Sequence, residues 1–165
     1  MKKLFAVLLA AVLLVPALAF AQGSVLMVEL PEDAQMVENV AFDDGDFIQT
    51  YQLAGGAQVQ LVRYAAFDMT LGELFASEWV GATDVRELNI AEVGGYPAQG
   101  LRFSYQTEGQ AALDVTLVVV DAGETLVMSA VFPAGTADAQ LEAMLGSLSV
   151  MNEEAAPAGD TADVG

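Results

Sequence analysis

Two short stretches carry residue types that could do chemistry. The first is Asp43-Asp44-Gly45-Asp46, with three carboxylates in four positions. Clustered carboxylates and carbonyls are what a hard cation such as calcium takes as ligands, so Asp43, Asp44 and Asp46 are the candidate metal ligands. The spacing lacks the EF-hand pattern and its distal bidentate Glu. Asp and Gly are also the ordinary residues of a hairpin turn. The second stretch is EVGGYPAQGLRFSYQ, residues 92–106, where Gly95 and Gly100 have the G-x-x-x-x-G spacing of a phosphate-binding loop. After the second Gly that loop needs Lys and then Ser or Thr, so that an ammonium reaches the phosphates and a hydroxyl reaches magnesium. Leu101 and Arg102 stand there instead, and the pattern that follows alternates like a strand. The stretch reads as a glycine turn between strands.

Composition narrows the chemistry further. The chain has no His and no Cys. That removes the usual general base, the usual metal ligand and the common nucleophile–base pairs. The serines lack a G-x-S-x-G elbow. A glycosidase would need two carboxylates at a set separation in a sugar cleft, and no pair is singled out by its spacing. A hydrolase therefore ranks third. The first expectation is a non-catalytic accessory or protein-interaction domain, and the alternative is a binding module for calcium or a small cationic ligand.

The chain opens MKKLFAVLLAAVLLVPALAFAQG, with the basic start, apolar stretch and A-x-A site of a secretory signal peptide. Cleavage is expected after Ala21, which places residues 1–21 outside the mature chain and directs it to the bacterial periplasm or beyond. The apolar run is shorter than the roughly 20 residues of a spanning helix, so no membrane insertion is expected after cleavage. The mature chain keeps Arg63, Arg86 and Arg102 against 23 acids, a net charge of −20. Such a surface repels nucleic acid and anionic headgroups, and it keeps a protein dispersed. The expected partner is a protein of the cell envelope, and the chain itself is expected to be a monomer.

Strand patterning predicts strands over 25–30, 47–53, 58–64, 87–93, 99–107 and 126–132, with an apolar segment at 36–42. The β-branched run 113–120, apolar at nearly every position, predicts a strand buried on both faces. Thr70-Leu71-Gly72-Glu73 matches a capping box, and Leu71, Leu74, Phe75 and Trp79 follow at helical spacing. The aromatic pair on that stripe is expected in the core. Thr136 is expected to cap a second helix carrying Leu141, Met144, Leu145 and Leu148. Residues 22–151 thus form one domain, and 152–165 form an acidic tail too poor in apolar surface to order.

The order of elements over residues 87–151 resembles the PsbP-like group, with its bacterial DcrB-like periplasmic members. The residues that carry the likeness are Gly95-Tyr96-Pro97-Ala98 before a strand, and Met144, Leu145, Ser147 and Leu148 at the end of the last helix. The resemblance implies an α+β fold, an α-β-α sandwich of a twisted, mainly antiparallel sheet with flanking helices. It implies a binding or accessory role without catalysis, and it carries over no functional residue. The chain departs from the group in lacking a lipid-anchoring Cys and, once mature, any Lys.

Overall fold

The computed structural model of the protein describes residues 23–65 and 70–152. The expected signal peptide and the tail beyond Asn152 lie outside them. Half of the described residues are in strands. These are β1 (Ser24–Met27), β2 (Gln35–Ala41), β3 (Phe47–Gln52), β4 (Gln58–Tyr64), β5 (Thr83–Glu87), β6 (Glu92–Val93), β7 (Tyr96–Tyr105), β8 (Leu113–Asp121), β9 (Thr125–Pro133) and β10 (Ser149–Asn152). The two α-helices are α1 (Leu71–Glu78) and α2 (Asp138–Gly146).

Eight strands form one antiparallel sheet in the order β2-β3-β4-β9-β8-β7-β5, with the short β6 also paired to β7. It consists of two meanders joined where β4 meets β9, in register from Gln58 opposite Val131 to Tyr64 opposite Thr125. Alternation sorts the side chains. From β8, Val118 and Val120 enter one core with Val59, Leu61, Leu126 and Met128. Val115, Leu117 and Val119 enter the other with Val62, Val127 and Phe103. This explains why LDVTLVVVD is apolar at nearly every position: both faces of the central strand are buried.

The helices cover little of this sheet. The eight residues of α1 lay Leu71 and Leu74 on the second core. Phe75 and Trp79 meet Phe103 and Tyr105 edge-on, with ring centroids 5.0–5.4 Å apart. Thr70 and Glu73 form the expected capping box. On the first core, α2 contributes Leu141 and Met144, and a second sheet of β1 paired antiparallel with β10 lies beside it.

The α+β expectation, an α-β-α sandwich with flanking helices, is therefore corrected. The protein is mostly β, and neither helix exceeds nine residues. The reason lies in short segments whose partners are remote in sequence. The helical stripe of 71–79 is real but only two turns long. Asn152, where the tail was expected to begin, closes β10 and bonds to Ser24 Oγ and Tyr96 Oη. Nothing local in SVMN reveals that pairing across the whole chain.

Smaller corrections have local causes. The strand expected at 87–93 is split into β5 and β6, and β5 is bulged between Thr83 and Arg86, where Asp84 has φ 54°. Thr136 does not cap α2; its hydroxyl donates to the Pro133 carbonyl, and Ala137 occupies the cap position. The Gly94-Gly95 turn reverses the chain between β6 and β7 with φ of 60° and 85°. Gly100 lies within β7, where a Cβ would come 2.9 Å from Leu88 Cδ1 and 3.2 Å from the Leu117 carbonyl oxygen. The phosphate-loop spacing thus records one turn and one close strand contact.

Candidate functional site

The three aspartates singled out in the sequence form the β2–β3 turn. Phe42 N–H donates to the Asp46 carbonyl, and Gly45 N–H donates to the Phe42 carbonyl. Asp44 Oδ1 accepts from Asp46 N–H at 3.1 Å, and Asp46 Oδ1 accepts from Ala65 N–H at 2.6 Å. Asp44 and Asp46 therefore each spend one oxygen fastening the turn, while Asp43 is exposed. Among the described residues, no three His, Cys, Asp or Glu stand close enough together to hold a metal ion.

Beneath the turn lies a residue that sequence reasoning passed over. Arg63, on β4, is 1% exposed and is the only buried charged residue among those described. Its Nε and Nη2 both donate to the Gly45 carbonyl oxygen, the first at 2.8 Å. The guanidinium carbon lies 5.1 Å from the centre of the Phe47 ring, a cation–π distance. Nη1 makes no hydrogen bond. It reaches the backbone of Gly23, where a Cβ would come 2.8 Å from Nη1 and 2.6 Å from Glu124 Oε1. Glu124 Oε2 in turn accepts from Ser24 N–H at 2.8 Å. The guanidinium thus binds the Asp turn and lies beside the start of β1, which Glu124 holds. The signal was present in QVQLVRY, where Arg63 shares the alternation phase of the buried Val59 and Leu61.

On the other face of β3 and β4, the turn borders an open depression of about 310 Å³. Phe42, Phe47, Ile48, Val62 and Tyr64 supply its apolar walls, and its charged lining is Asp44, Asp46 and the buried Arg63. Burial, and then the charges of Glu78 and Asp46, push the Tyr64 hydroxyl above its ordinary 10.0. Burial is the main cause that favours the neutral phenol, and the two carboxylates add to it.

The depression opens beside β2, which is an edge strand. A cross-strand row on this face runs Val119, Val127, Val62, Ile48, Val40. The first three are buried, Ile48 is half-buried, and Val40 is 37% exposed. Val37 and Phe42 are 58% and 49% exposed. The apolar face of the sheet therefore runs uncovered to its edge. No helix among the described residues is long and apolar enough to cross a membrane.

Arg63→Met removes both donors from the Gly45 carbonyl and is expected to cost about 1–3 kcal/mol, the usual penalty for orphaning a buried polar group. Urea denaturation measures this, and an unchanged midpoint would remove Arg63 as the brace. A phenol whose pKa is raised by folding contributes stability in full below pH 10, and that contribution is lost as the pH rises through the folded-state value. Wild-type stability should therefore fall more steeply than that of Tyr64→Phe between about pH 9 and 11. Parallel pH profiles in urea would contradict the Tyr64 environment described.

Comparison of the chain with protein-family models and with curated proteins found no match in either.

Proposed function

We propose that this chain is a secreted, non-catalytic interaction domain of the bacterial cell envelope that engages a partner protein at the β2 end of its main sheet. The observation that carries this reading is the exposure of Val37 and Val40 on the edge strand β2, and of Phe42 just beyond it, beside an open depression. An edge strand offers unpaired backbone donors and acceptors to a second chain, and strand addition is a recurring mode of peptide recognition. Exposed apolar residues adjoining such an edge extend the contact and give it specificity. The absence of His and Cys and the accessory roles implied by the PsbP-like resemblance agree with a binding function. Kinship with that group is itself part of the proposal, resting on the 95–98 turn and the 144–148 run.

Calcium at Asp43, Asp44 and Asp46 is the lesser reading. The Gly45 carbonyl, a natural ligand in such a turn, already accepts from the Arg63 guanidinium, which leaves it unavailable to a metal ion.

Two measurements test these readings. Affinity capture from envelope extract should retain the same partner with wild type and lose it with Val37→Ser/Val40→Ser, both folding with unchanged midpoints. A partner held equally by the variant would overturn the choice of surface. For calcium, a site occupied in the folded state would raise the thermal midpoint at millimolar calcium. The account expects no rise, and a rise abolished by Asp44→Asn/Asp46→Asn would restore the metal reading.

A further inference from the structure

Charge decides what kind of segment the β2 edge can accept. Seven acids and no base lie between positions 29 and 46. Arg63, the nearest base in sequence, is buried and has two of its three nitrogens committed to Gly45. A second copy of the chain would bring a mature charge of −20 to a surface of the same sign. The chain's own residues 153–165 hold four acids and no base. Neither self-association nor the C-terminal segment complements this edge.

The depression behind Phe42 has a specific chemistry. Phe42, Ile48 and Val62 offer apolar surface for an aliphatic stem, and long basic side chains bury their stems while keeping the charged head among polar groups. Asp44 and Asp46 stand at the wall with Arg63, and among the described residues each carboxylate has one oxygen left after its backbone bond. Tyr64 adds a ring face to which a cation is drawn. The uncovered row ending at Val40 would be continued by an apolar side chain on an added strand.

We propose that the β2 edge binds an extended, basic segment of a partner protein, which adds as a strand beside β2 and places a Lys or Arg side chain in the depression between Phe42, Tyr64, Asp44 and Asp46. This rests on the interaction reading above and names the chemistry of the partner. The other sheet edge fits less well. There β5 has five residues against seven in β2 and carries the cationic Arg86, and Asp84, Arg86 and Glu87 mix both signs.

The test uses fluorescence anisotropy with labelled ten-residue peptides and the full mature chain. One peptide alternates lysine with valine and threonine; its control carries glutamate in place of lysine. The lysine peptide is expected to bind and to weaken with added salt, as screening shortens the range of the attraction. Asp44→Asn/Asp46→Asn keeps an acceptor oxygen for each turn hydrogen bond and removes the charge, so it should fold normally and bind about tenfold more weakly, a loss of roughly 1.4 kcal/mol. Val40→Ser/Phe42→Ser should weaken binding comparably. Equal binding of the glutamate peptide, or lysine-peptide affinity untouched by the Asn pair, would overturn this proposal. Should the captured partner depend on Val37 and Val40 yet present an acidic segment, the interaction reading would stand and this one would fall.

Discussion

The register between β4 and β9 is the constraint on which the rest of the molecule depends. These strands are remote in sequence, and their pairing joins the β2-β3-β4 meander to the β5-β7-β8-β9 meander. With this register, Val59, Leu61 and Arg63 point into one core and Val62 and Tyr64 face the other side. A slip of one residue would exchange the two sets. It would carry the guanidinium to the α1 face and strand the apolar row that runs to Val40. The same register sets Arg63 opposite Leu126, two residues from Glu124, which brings that carboxylate beside Gly23 at the start of β1. From there the sequence of causes runs outward. Seated beneath the turn, the guanidinium binds the Gly45 carbonyl; the turn fixes the β2–β3 hairpin; and the hairpin presents an uncovered edge.

Burying a guanidinium costs several kcal/mol unless its donors are satisfied and its charge is offset. Here two nitrogens share one carbonyl oxygen, an aromatic ring lies 5.1 Å away, and Glu124 approaches from the far side. The third nitrogen, Nη1, makes no hydrogen bond among the described residues. An apolar residue would pack there without that cost but would leave the Gly45 carbonyl without a donor. Arg63 therefore holds the turn through that carbonyl. The turn then sets the position of Asp44 and Asp46 at the wall of the depression. Natural sheets commonly blunt their edges with Lys, Pro or a bulge. The β2 edge has a bulge between Met36 and Glu38 but carries neither Lys nor Pro, and its valines are exposed.

What the sequence made legible was local. The strand at 58–64 has the bounds expected from QVQLVRY, the Asp-Gly cluster is a turn, and the Thr70–Glu73 capping box forms as read. Each of these is dictated by neighbours within a few residues. The elements that escaped are those defined by remote partners. The strand β10 is recognisable only through β1, and the layer they form replaced the helix cover that the sandwich expectation supplied. The Asp turn was legible as acidic, but its chemistry depends on a cation delivered by the next hairpin strand. Arg63 could have been found, since its alternation phase points inward. Val40 could not, because only the sheet order places it where cover ends.

The most direct test is hydrogen–deuterium exchange of residues 22–165, alone and with the lysine peptide at saturation. The account predicts that amides of β2 and the turn up to Asp46 exchange more slowly when the peptide is bound, while those of β5 and α1 are unchanged. Protection at β5 or over α1, with β2 exchanging as in the free chain, would contradict it.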